Sequence, residues 1–93
     1  MVNERRLVDT FMELVRIDSE TKHEQAICAV LKRRLAELGL AVREDDAAAR
    51  TGHGAGNLIA TLEPTPGMAH VPALLFTAHM DTVAPGRGGK PRL

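Results

Sequence analysis

A histidine and an aspartate stand two residues apart at the end of an apolar run, His79 and Asp81 in "LLFTAHMDTV". Imidazole is a common ligand for divalent metals, and a ligating histidine usually donates its second ring N–H to a carboxylate, which fixes the tautomer and makes the ligand more basic. Side-chain direction alternates along a strand, so residues two apart face the same side and an acid at this spacing can orient the ring. Ligands also gather at the carboxyl ends of strands in open α/β sheets. The plain alternative is that His79 closes a buried strand and Asp81 caps the turn through "DT". A bare H-x-D favours that alternative, because a zinc site needs three or four protein donors.

The elements that must carry this pair can be read from apolar spacing. From Asn3 to Arg16, the residues Leu7, Val8, Phe11, Leu14 and Val15 recur at helical intervals, which predicts a first helix with Asn3 as N-cap and one face buried. "IDSETKHE" breaks the rhythm, and Thr21 followed by Glu24 has the form of a capping box opening a second helix. The buried stripe of that helix is Ile27, Val30, Leu31, Leu35 and Leu38, with Gly39 as its left-handed stop. "LAVRED" alternates as a short strand, "DAAARTGHGAG" predicts a mobile connection, and "NLIATLE" predicts a second strand ended by Pro64. "PTPGMAH" must be a turn or loop. "VPALLFTAH" is almost continuously apolar and predicts a third strand buried on both faces, with Pro72 tolerated at its start. The tail 84–93 has no periodicity and is expected to be disordered. The expected fold class is α/β, with two N-terminal helices packed on a mixed sheet of about three strands.

Composition narrows the classes of function. A chain of 93 residues makes one small domain, and 44% hydrophobic with 26% charged residues suits a soluble globular protein. Zero formal net charge, 2% aromatics and the lack of a basic run argue against nucleic acid and against anionic membrane. The N-terminal stretch lacks a continuous apolar segment, so it reads neither as a secretory signal nor as a membrane span. Cys28 is alone, which excludes an internal disulfide and a Cys-rich zinc module, suits a reducing compartment and makes the cytoplasm the expected location. It is expected to be a small buried filler. His23, His53 and His70 lack paired ligands and are expected to be surface groups. "GHGAG" and "GRGG" lack the strand before and the helix after that a phosphate loop needs, and Ser19 lacks a nucleophile-elbow context.

The wording around the pair adds to its spacing. "LLFTAHMDTV" resembles the zinc-ligand strand of the M20 family of metallopeptidases. "FMELVRIDSETKHEQAICAVLKRRLAELGL" looks like the family's opening helix, Ile-x-Ser loop and second helix, and "GNLIATL" looks like the strand before the ligand strand. "FTAHMDTVAPGRGGKP" is most similar to the tripeptidase T-like branch, and the resemblance covers nearly the whole chain. It implies that residues 1–93 are a truncated N-terminal part of an M20-type catalytic domain. It also implies that His79 is a ligand to one of two zinc ions and that Asp81 is the active-site carboxylate that orients and polarises His79. The implied reaction is hydrolysis of peptide or amide bonds in small peptides, with a zinc-bound water and a glutamate as general base. A homodimer through an additional domain is implied as well. The family's bridging Asp, Glu–Glu pair, further acidic ligand and late His have no counterpart, since after Asp81 the sequence contains no Asp, Glu or His. The isolated chain is therefore expected to be inactive. The alternative from another class is a small non-catalytic interaction or assembly module.

Overall fold

The computed structural model describes residues 1–82 and Gly88. Helix α1 spans Glu4–Val15, α2 Gln25–Glu37, strand β1 Ala41–Glu44, helix α3 Ala47–Thr51 and strand β2 Leu58–Thr61. The α/β class is as expected. The strands form a two-stranded antiparallel sheet, with Ala41 opposite Thr61 and Glu44 opposite Leu58. Helix α2 packs across this sheet, mainly on β1.

Asn3 caps α1 as its residue type suggests, its side-chain oxygen accepting the Arg6 amide at 3.0 Å. The burial expected of the α1 stripe is only partly achieved. Coverage is partial: Leu7 and Phe11 are each 60% exposed, Val8, Leu14 and Val15 are half-buried, and no α1 residue is fully buried. An ion pair between Glu13 and Arg34 ties α1 to α2. In α2, Ile27 and Cys28 turn inward, and among the described residues they are the only buried apolar side chains. Gly39, at φ 89°, ends the helix: its amide donates to the Ala36 carbonyl at 3.0 Å and the Leu40 amide to Leu35 at 3.2 Å. That pair of bonds is a Schellman stop.

The capping box expected from Thr21 and Glu24 is not formed. Helix α2 begins one residue after Glu24, whose side chain makes no cap bond to it. The Glu24 carboxylate is buried and faces two other donors, the Lys22 amide at 2.6 Å and the Gly54 amide at 3.2 Å. Lys22 sits at φ 74°, a left-handed conformation costing an L-residue on the order of 1 kcal/mol. The charge-assisted bond to its amide offsets that cost and locks the turn, which the His23 amide closes onto the Glu20 carbonyl at 2.8 Å.

The connection between the strands is organised, not mobile as expected, and it contains α3. Asp45 is the reason. One of its oxygens accepts the Ala47 amide at 3.1 Å and the Asn57 amide at 2.8 Å, while the other accepts the Asn57 side-chain amide at 2.8 Å. Gly56 passes so close that a Cβ there would lie 2.8 Å from the Asp45 carboxylate. Next to it, the Glu44 carboxylate takes the Gly56 amide at 2.8 Å and pairs with Lys32.

Residues 71–79, expected as a buried third strand, form no ladder with any described residue, and Leu74, Leu75 and Phe76 are 84%, 87% and 87% exposed. Their apolar side chains find no second layer among the described residues. One bridge starts just beyond them, a parallel pairing of Glu20 with Thr82. Of the tail 84–93, all but Gly88 lies outside the described residues.

Two predictions follow the carboxylates. Bonding to Lys32 first, and then to the Gly56 amide, holds the Glu44 pKa below its usual range, and the Asn57 side chain and the Ala47 amide do the same for Asp45. A lowered folded pKa adds stability above the unfolded value, and that stability disappears as pH falls through the folded one. The urea midpoint should hold steady near neutrality and fall as pH drops below about 4.5, with Asp45→Asn flattening the slope. A midpoint unchanged from about pH 5 to about pH 3 would contradict this. Separately, Glu24→Ala strands two amide donors and should cost about 2 kcal/mol in urea unfolding, Glu24→Gln less; a loss under about 0.5 kcal/mol would mean the carboxylate is not holding the turn.

Candidate functional site

The parallel bridge at Thr82 joins the segment bearing His79 and Asp81 to the turn between α1 and α2. The Thr82 amide donates to the Ser19 carbonyl at 2.8 Å, and Ser19 is buried. Further on, the Gly88 amide donates to the Asp18 carboxylate at 2.7 Å. Asp81 thereby comes beside Thr21, whose hydroxyl donates to Asp81 Oδ2 at 2.7 Å across a separation of 60 residues.

The other oxygen, Asp81 Oδ1, lies 3.9 Å from His79 Nδ1. This is ion-pair range, longer than a hydrogen bond. The imidazole is 96% exposed while the Asp81 side chain is 33% exposed, so the ring stands in solvent over a partly enclosed acid. With Nδ1 toward the carboxylate, Nε2 is the nitrogen left for another partner. The arrangement fits one corner of a metal site, an imidazole backed by an acid. It does not fit a whole one: among the described residues no group of three or more His, Cys, Asp or Glu could hold a metal ion.

The other chemistry-bearing residues lie apart from this pair. His53 Nδ1 is 2.8 Å from the Thr51 hydroxyl, and His23 and His70 are exposed. Cys28 is buried with Sγ 3.7 Å from Glu44 Oε1; burial first, and then the nearby Glu44 carboxylate, pushes its pKa up, which suits a filler and disfavours a nucleophile. Thr21, Ser19 and Glu24 are the residues that sequence reasoning missed at the site. The spacing of Thr21 and Glu24 is that of a cap, but in the fold Thr21 bonds Asp81 and Glu24 accepts the Lys22 and Gly54 amides.

Among the described residues no helix is long and apolar enough to cross a membrane. No family model matches the chain. It is 59% identical over 91 residues to a Bacillus subtilis (strain 168) protein described as the uncharacterized protein YqjE, covering 98% of this chain and 24% of that protein. Among solved structures it is similar to aminopeptidase PepT from Bacillus cereus ATCC 10987, with a TM-score of 0.93 and 55% identity over 99% of this chain and 24% of that one. It is also similar to a tripeptidase (SAV1512) from Staphylococcus aureus subsp. aureus Mu50, with a TM-score of 0.86 and 49% identity over 95% of this chain and 23% of that one. The chain therefore spans about a quarter of the length of each of these relatives, and its backbone matches the corresponding fragments of the two solved peptidases.

Proposed function

We propose that this chain is the N-terminal segment of a tripeptidase T-like M20 metallopeptidase, with His79 as a zinc ligand and Asp81 as the acid that orients it. The observation that carries the reading is the match of 99% of the chain to a solved aminopeptidase at a TM-score of 0.93 and 55% identity. The placement of the pair is consistent with it. Asp81 has one oxygen engaged by Thr21 and the other toward His79 Nδ1, which leaves Nε2 facing outward. Zinc, when bound, supplies Lewis-acid polarisation of the scissile carbonyl and acidifies a bound water. The contribution of this chain is to present the imidazole and to hold its orientation. The remaining ligands and the general base belong to further polypeptide, as do the specificity pocket for small peptides and a dimerisation domain. A buried lone thiol suits a reducing compartment, and the cytoplasm is the proposed location.

The test is a chimera in which this chain replaces the matching quarter of the Bacillus cereus aminopeptidase. It should release the N-terminal residue from tripeptides; His79→Ala should abolish turnover, and Asp81→Asn should lower it about 10- to 100-fold. The 93-residue chain alone, supplied with zinc, should show no turnover. A chimera indifferent to His79→Ala, or activity of the isolated chain that disappears with that substitution, would overturn the assignment.

A further inference from the structure

An exposed imidazole 3.9 Å from a carboxylate is not held in place by that contact alone. The acid is restrained from the turn between α1 and α2. Thr21 Oγ1 donates to Asp81 Oδ2 at 2.7 Å, and Thr21 is itself fixed on both sides. Before it, the Ser19 carbonyl receives the Thr82 amide at 2.8 Å. After it, Lys22 takes its left-handed conformation with its amide on the buried Glu24 carboxylate at 2.6 Å. Glu24 also reaches the Gly54 amide at 3.2 Å, so the turn is anchored to the connection between the strands. A carboxylate free to rotate would offer either oxygen to the ring. With Oδ2 occupied by the hydroxyl, Oδ1 is the oxygen presented to His79.

We propose that Thr21 is a positioning residue for the His79–Asp81 pair, acting through Asp81: its hydroxyl holds the carboxylate turned so that Oδ1 faces the ring, which favours the tautomer with the proton on Nδ1 and leaves the Nε2 lone pair free. Its catalytic meaning rests on the function proposed above, whereas the geometric statement does not. The role needs a hydroxyl at that position. Serine should perform it and the isosteric valine should not.

Nitrogen-15 shifts of His79 in the 93-residue chain, recorded with the ring neutral, read the tautomer directly. The Nδ1–H form should dominate in the unmodified chain and in Thr21→Ser. In Thr21→Val and in Asp81→Asn it should fall toward the minority share of a free imidazole. Equal tautomer populations in the unmodified chain and Thr21→Val overturn the proposal. The aminopeptidase chimera gives a second measurement that does not depend on the isolated valine variant folding. There Thr21→Val should lower kcat about 10- to 100-fold with KM little changed, and Thr21→Ser should restore most of it. Full kcat in a Thr21→Val chimera whose turnover is abolished by His79→Ala overturns the positioning role and leaves the function standing. An inactive parent chimera counts against the function, while the tautomer comparison still decides the role of Thr21.

Discussion

The hydrogen bond from the Thr82 amide to the Ser19 carbonyl is the contact on which the site depends. It joins two segments distant in sequence, so forming it requires closing a long loop whose entropy no single bond repays. The closure holds because several ties converge on the same turn. Thr21 reaches Asp81, Asp18 reaches the Gly88 amide, and the buried Glu24 carboxylate fixes the turn to the strand connection through Gly54. Without that convergence, Asp81 would be one more surface acid and His79 a solvated ring.

Throughout the described residues, carboxylates take the part that apolar packing takes in a larger domain. Glu24 and Asp45 each accept two backbone amides and Glu44 accepts one. An ionised acceptor makes a hydrogen bond roughly twice as strong as a neutral one, and here each also removes an unpaired donor from an irregular stretch of backbone. These bonds have direction, so they can hold a left-handed lysine or a close-passing glycine where dispersion contacts could not. Of the three, Glu24 is the one that anchors the turn behind the His79–Asp81 corner.

How far the sequence discloses all this depends on the range of each interaction. The two helices, the first two strands, the Asn3 cap and the Gly39 stop are set by neighbours within a few residues, and local pattern was enough to read them. The side-by-side placement of His79 and Asp81 follows from a spacing of two. Pattern failed where the partner is distant. Thr21 and Glu24 have the spacing of a capping box, yet Thr21 bonds a residue 60 positions away and Glu24 one 30 positions away besides the neighbouring Lys22 amide. The apolar stripe of α1 and the run through Leu74, Leu75 and Phe76 are written for burial, but burial needs a second surface, which the described residues supply in part to the stripe and not to the run. Helix α3 leaves no mark in the pattern because its order comes from Asp45 and Asn57, not from periodicity.

The near-absence of enclosed hydrocarbon has a thermal corollary. The heat-capacity increase on unfolding scales with newly wetted apolar surface, and among the described residues only Ile27 and Cys28 are buried apolar side chains. With little apolar surface to wet, the described part of the fold has a small heat-capacity increment, and its unfolding enthalpy changes little between cold and warm solution.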